Sequence, residues 1–145
     1  MAADPAFVDT NVLVYANQRN SKHHAEAVAL LDRIGQEGAT LWISRQVLRE
    51  YLASVTWPQG SDPALPMAIA LERVSSFAER FEMAEDGPEV FRKLLGLLAG
   101  FPTGGKQVHD ANLVATMLAY GIKRLLTFNA GDLRRFSPVV EVIAP

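Results

Sequence analysis

Four carboxylates carry the chemistry available to this sequence: Asp9 in "FVDTNVLVYA", Glu50 in "SRQVLREYLASV", Asp110 in "VHDANLVATML" and Asp132 in "TFNAGD". They lie far apart along the chain, yet each borders an apolar run, where a charge is costly unless it is paired. Were they to converge, like charges about 4 Å apart would repel by roughly 4 kcal/mol per pair at a surface-like dielectric. A positive partner would then be required. The chain has no Cys and 3 His, which excludes thiolate ligands and a thiol nucleophile and leaves oxygen or imidazole as donors. The matching ion is a hard divalent cation, Mg²⁺ or Mn²⁺. Such an ion activates water and neutralises charge on phosphate oxygens, so the chemistry to expect is phosphate chemistry.

The elements that must position these acids follow from periodicity. Short apolar runs alternate with longer helical patterns, which is the α/β signature. The expected strands are 6–9 ("AFVD"), 40–44 ("TLWIS"), 81–84 ("FEMA"), 124–128 ("RLLTF") and 139–143 ("VVEVI"), apolar as buried parallel strands are. Ala27, Leu31 and Ile34 mark one helical stripe. Ala70, Val74, Phe77 and Phe81 mark another, in a helix expected to begin after "SDP" (61–63) with Pro in its first turn. Asp9 closes the first strand, and Asp132 follows the fourth. Glu50 sits beside a buried stripe, and Asp110 shares a face with Leu113, Val114 and Met117 in a first helical turn, where the helix dipole favours an anion. Sites in open α/β sheets form beyond the carboxyl ends of strands, where at least two of these acids fall.

Composition sets the frame. With 145 residues, 49% of them apolar, the chain is long enough for one domain with its own core, and residues 1–145 are read as a single unit. "WPQGSDPALP" (57–66) and "GFPTGGKQ" (100–107) read as surface loops. The longest apolar run, "LLGLLAGF", is far short of the ~20 residues of a membrane span, and Asp4 and Asp9 stand where a signal peptide wants positive charge. The absence of Cys suits a reducing compartment, so a cytoplasmic setting is expected. A net charge of −2 provides no global basic footprint for a nucleic acid, which leaves that task to local Arg and Lys or to bound cations.

Each acid also has a simpler role open to it. Asp9 or Thr10 could cap the next helix, Asp110 could be a first-turn acid and Asp132 an Asx-turn residue. Glu50 could be neutralised by Arg45 or Arg49. Arg45, Arg49, Lys106, Arg134 and Arg135 could touch phosphates, though solvated surface charge is the commoner fate of such groups. Trp42 is expected in the core. Trp57 stays open between packing and base stacking.

Taken in order, "FVDTNVLVYA", "SRQVLREYL", "VHDANLVATMLAYGI" and "LLTFNAGDL" resemble the PIN-domain proteins, and among them the ribonuclease toxins of VapBC-type toxin–antitoxin pairs. The resemblance spans the chain. It implies a three-layer α/β/α sandwich around a mainly parallel sheet. It also implies that Asp9, Glu50, Asp110 and Asp132 form the catalytic, metal-binding acid site, supported by Thr10, Asn11, Thr127 and Asn129. The activity implied is Mg²⁺- or Mn²⁺-dependent endonucleolytic cleavage of RNA phosphodiesters by a homodimer, with a cognate antitoxin protein that blocks the site. Two positions depart from the family pattern: Leu133 stands where an aromatic is common, and Phe128 where a polar residue is frequent. Both bear on the rim of the site and spare its acids. A housekeeping RNA-processing nuclease and a non-catalytic metal- or partner-binding module are the alternatives. An aspartyl-phosphate enzyme fits less well, because its second Asp would fall at Asn11.

Overall fold

The computed structural model describes residues 3–60 and 62–145. Five short parallel strands form its sheet: β1 (Ala6–Val8), β2 (Leu41–Ser44), β3 (Glu82–Ala84), β4 (Arg124–Leu126) and β5 (Glu141–Ile143), in the order β3-β2-β1-β4-β5. All five expected strands are present, each one or two residues shorter than the apolar run that marks it. Helices fill the intervals: α1 (Thr10–Ala16), α2 (His24–Gln36), α3 (Arg45–Val55), α4 (Met67–Arg80), α5 (Pro88–Gly100), α6 (Gln107–Ala119) and the short α7 (Ala130–Leu133).

The strand order dictates the layers. From β1 the chain moves outward through β2 to β3, then returns to the other side of β1 for β4 and β5. Because parallel crossovers are right-handed, movement in opposite directions places the connecting helices on opposite faces. The helices α1 to α4 therefore form one layer, α5 to α7 the other, and the sheet is buried between them. The fold is the expected α/β/α sandwich. Its core takes residues of both kinds of periodicity: Ala6, Phe7 and Val8 are fully buried on β1, and Ala27, Leu30, Leu31 and Ile34 line the inner face of α2. Burying a large apolar side chain of this kind stabilises by about 1.5–3 kcal/mol.

One sequence expectation needs correction. The fourth helix does not begin after "SDP": of those residues Ser61 lies outside the described ones, Asp62 pairs with Gln59 in an antiparallel bridge across Gly60 (φ 57°), and α4 starts at Met67 with Pro66 at its cap. The backbone bond from Leu65 N to Val55 O (2.7 Å) ties the intervening stretch to the end of α3, and a residue before proline is disfavoured in helical geometry. The run "LLGLLAGF" is the end of a full amphipathic helix, α5, with Pro88 in its first turn; continuous apolarity hides its two faces. On α4, Ala70 and Phe77 are buried, whereas Val74 is only partly so.

Candidate active site

The sheet reverses its order between β1 and β4, and the chain leaves both strands toward the same edge. That edge is where an open α/β fold builds its sites. Asp9 comes directly after β1. It is 8% exposed, and it does two things at once. As the N-cap of α1 its Oδ1 accepts from Thr10 N at 2.8 Å, while its Oδ2 accepts from Thr127 Oγ1 at 2.8 Å and from Asn11 Nδ2 at 3.4 Å. The capping role is real, and it orients the carboxylate rather than competing with a second use.

Thr127, fully buried just past β4, organises the polar floor. Its hydroxyl donates to Asp9 and accepts from Asn129 N at 2.9 Å, and Asn11 Oδ1 accepts from Phe128 N at 3.0 Å. Hydrogen bonds chained in this way reinforce one another in a low-dielectric setting. Glu50 reaches the site from α3 and is held from two sides: Oε2 accepts from Thr10 Oγ1 at 2.9 Å, and Oε1 accepts from Gln46 Nε2 at 2.9 Å. Neutralisation by arginine does not occur here. Arg45 instead makes a bidentate pair with Glu85, both bonds 2.8 Å.

Asp9, Thr10, Asn11, Glu50, Asp110 and Asn129 share the wall of one cavity of about 430 Å³. Asp110 arrives from α6 on the opposite layer. Asp132, exposed on α7, is not in that wall, but its charge acts on Asp110. The carboxylates thus form one electrostatic group with Asp132 at its margin. Burial, reinforced by the charges of Glu50 and Asp110, pushes the Asp9 carboxyl up to about 6, against the pull of the Thr127 and Thr10 hydrogen bonds. Asp110 is raised by burial first and then by Asp132 and Glu50, opposed by Arg135 and His109. Arg135 is fixed for that task by its Nε bond to Asp132 O (3.0 Å). A larger hollow of about 690 Å³ beside β5 is lined by Lys123, Arg134 and Glu141 and contains none of these four acids; size does not locate the chemistry here.

The donor set suits a hard divalent cation. It is all oxygen, it is net negative, and among the described residues neither Asp9 nor Glu50 has an ion-pair partner within 4 Å. As the side chains stand, both oxygens of Asp9 and of Glu50 are engaged by protein donors, and among the described residues no three acids or histidines make a closed ligand group.

Sequence reasoning missed Gln46. It is buried, and its amide bridges the layers: Nε2 donates to Glu50 and to His109 O (2.8 Å), and Oε1 accepts from Asn112 Nδ2 (2.8 Å). The available signal was its place one turn before Glu50 on the same helix face. It also missed Asp62, Gln18 and Ser21, which complete the cavity wall. His109 is exposed and contributes through its carbonyl and its charge. Trp42 is partly buried against Tyr120, ring centroids 5.5 Å apart, and Trp57 is 72% exposed. Phe128 completes an aromatic trio with Tyr15 and His23, centroids 4.8 and 5.3 Å away, which gives a packing reason for its departure from a polar residue.

This architecture and its acid-lined switch point define a PIN domain, and the chain belongs to the PIN domain family, whose model matches residues 6–137. Ribonuclease VapC48 of Mycobacterium tuberculosis (strain H37Rv) is 28% identical over 136 residues, covering 90% of this chain and 91% of that protein. Among solved structures, the DNA-bound VapBC of Salmonella typhimurium is similar with a TM-score of 0.68 at 17% identity over 98% of each chain. VapC20 of M. tuberculosis, described as a toxin cleaving the sarcin-ricin loop, has a TM-score of 0.65 at 15% identity, covering 88% of this chain and 92% of its own. At such identities the two structures speak to the fold. No helix among the described residues is long and apolar enough to cross a membrane.

Proposed function

We propose that this chain is a divalent-metal-dependent endoribonuclease and the toxin of a toxin–antitoxin pair. The observation that carries the reading is the meeting of Asp9, Glu50 and Asp110 in one cavity wall, with Asp132 acting on it by charge. The relationship to a protein named as a ribonuclease over nine-tenths of the chain supports the RNA substrate, and likeness to VapBC assemblies supports an antitoxin partner. Asp9, Glu50, Asp110 and Asp132 are the residues that would hold Mg²⁺ or Mn²⁺. When bound, such an ion supplies an activated water and neutralises charge on the phosphate.

The chain's own groups do the positioning. Thr127, Thr10 and Asn11 hold Asp9 in place, Gln46 and Thr10 hold Glu50, and Asn129 lines the cavity beside them. The crowding of negative charge makes full ionisation of the metal-free site costly, and a bound cation relieves that repulsion. An antitoxin offering Arg or Lys to the same acids would silence the site by charge-assisted hydrogen bonds. The working unit is read as a homodimer acting in the cytoplasm, where its RNA is.

The test is cleavage of a structured RNA pool by purified protein with Mg²⁺, with Mn²⁺ and with EDTA, beside Asp9→Asn and Asp110→Asn. Metal-dependent cleavage that both folded variants lack is the expected result. Equal trace cleavage in all samples would overturn the nuclease reading in favour of a non-catalytic binding module.

A further inference from the structure

The acid cavity does not end at the acids. Gln18, Ser21 and Asp62 belong to its wall and also to the wall of a second cavity of about 430 Å³, so the two hollows adjoin along these residues. The second lies between the turn that follows α1, the stretch leading into α4, and Arg73 of α4 itself. Its volume is within the range of small-ligand sites.

Its chemistry differs from that of the first. Arg19 and Arg73 bring guanidinium groups, Asn17, Gln18 and Asn20 bring amides, and Leu65 brings an apolar surface. Among the described residues neither arginine has a carboxylate within 4 Å, whereas Arg45 and Arg124 are committed to Glu85 and Glu37. Arg73 is anchored by one bond, Nη1 to Asn17 O at 3.2 Å, which occupies one of its five donors. Asn17 Nδ2 donates to Leu13 O at 2.9 Å, which fixes that amide. The opposite wall is pinned too, by the reciprocal backbone bonds of Gln59 with Asp62 (3.1 and 2.8 Å) and by Leu65 N to Val55 O (2.7 Å). The cavity is therefore held in register with Glu50 on α3.

Arginines without carboxylate partners, the side-chain amides of Gln18 and Asn20, and the apolar surface of Leu65 beside them are what an unstacked nucleotide requires. Proteins that read single-stranded RNA stack bases on aromatic or guanidinium planes and bond their edges with amides and carboxylates. We propose that this second cavity seats the base of the nucleotide flanking the cleaved phosphodiester of a single-stranded RNA. Arg19 and Arg73 take its face or its phosphate, and Asn20 and Gln18 take its edge. Asp62, at the seam, accepts from a base amino group and thereby disfavours bases that present only acceptors there. The proposal rests on the nuclease reading above and adds the seat that sets sequence preference.

The test uses the full chain and a randomised single-stranded RNA pool, with sequencing of the cut ends and, in EDTA, anisotropy of the labelled pool. Arg19→Ala and Asn20→Ala change exposed residues and are expected to fold; Arg33→Ala on the solvent side of α2 is the control. Base preference at one position beside the cut should fall about 5- to 100-fold in Asn20→Ala, the range of one edge contact, with KM raised in both variants, because a stacking or phosphate contact of Arg19 adds affinity without reading the base, and with the metal requirement and the control unchanged. Unaltered preference and KM in variants of an active wild type would overturn the base seat and leave the nuclease standing. No cleavage, but RNA binding that Arg19→Ala and Asn20→Ala weaken, would support the seat and overturn the nuclease. Neither cleavage nor binding by wild type would overturn both.

Discussion

Thr127 Oγ1 donates to Asp9 Oδ2 across 2.8 Å, joining residues 118 positions apart at the ends of two adjacent parallel strands. The bond fixes one carboxylate oxygen at the switch point of the sheet while the other caps α1. Thr127→Val keeps the shape and removes the donor. Asp9 loses the strongest influence lowering its pKa, so its carboxyl moves further above about 6 and holds a cation less readily. The Mn²⁺ concentration for half-maximal RNA cleavage should rise several-fold, with stability lower by about 1–3 kcal/mol for the disturbed buried network. A metal titration unchanged by the substitution would refute this role.

Asp9→Asn removes the buried charge but keeps an acceptor for Thr10 N, so the cap survives. Without metal at pH 7.5 the variant should be more stable than wild type by roughly 1–3 kcal/mol, since a native pKa raised from 3.8 to about 6 represents roughly 3 kcal/mol of strain on the ionised form. It should also lose cleavage. Urea unfolding of both proteins in EDTA checks the first point; a variant no more stable than wild type would show that the charge is relieved by other means.

The same shift sets a pH dependence. Asp9 and Asp110 both have raised carboxyls, so the folded state holds more protons than the unfolded one between the two pKa values. The Asp9 contribution is full below about pH 4 and is lost as pH rises through about 6, and that of Asp110 changes in the same sense. Glu85 acts in the opposite sense, held low by Arg45, but it is fully exposed and screened. The difference in unfolding free energy between wild type and Asp9→Asn should therefore widen from pH 4.5 to 7. Saturating Mg²⁺ should narrow it by binding the native wild type.

Gln46→Leu tests the bridge between layers. It leaves Glu50 held by Thr10 alone, removes the side-chain bond to His109 O, and leaves Asn112 Nδ2 with only its 3.5 Å bond to Asp86 Oδ2. A loss of about 1–3 kcal/mol in stability is expected, with kcat reduced more than the affinity for RNA. Equal kcat in the variant would show that Glu50 needs no such support.

Tyr51→Phe is a control on the fold. The Tyr51 ring is fully buried, edge-on to Phe77 at 5.0 Å, and its hydroxyl has no hydrogen-bond partner among the described residues. Removing an unsatisfied hydroxyl without changing the packing should be neutral or stabilising by up to about 1 kcal/mol, with cleavage unaffected. A clear destabilisation would point to a water on that hydroxyl.

The sequence by itself determined the alternation of strands and helices, the five strands of the sheet and the four acids worth watching, because burial imposes a local period that any ten-residue window displays. It also marked Thr10, Asn11, Thr127 and Asn129 through likeness to a family. It did not reveal α5, whose apolar end "LLGLLAGF" conceals its faces, nor the start of α4, which depends on a backbone bond from Leu65 to Val55. Only the tertiary structure decided that Asp9 is at once a cap and a member of the acid group, that Glu50 is held by Thr10 and Gln46 instead of by arginine, and that Asp132 stands at the margin. It alone placed Asp62 beside the acids and Arg19 and Arg73 next to them. Those relationships join residues tens of positions apart, and no period along the chain records them: they exist once the parallel crossovers close and bring both layers to one edge of the sheet.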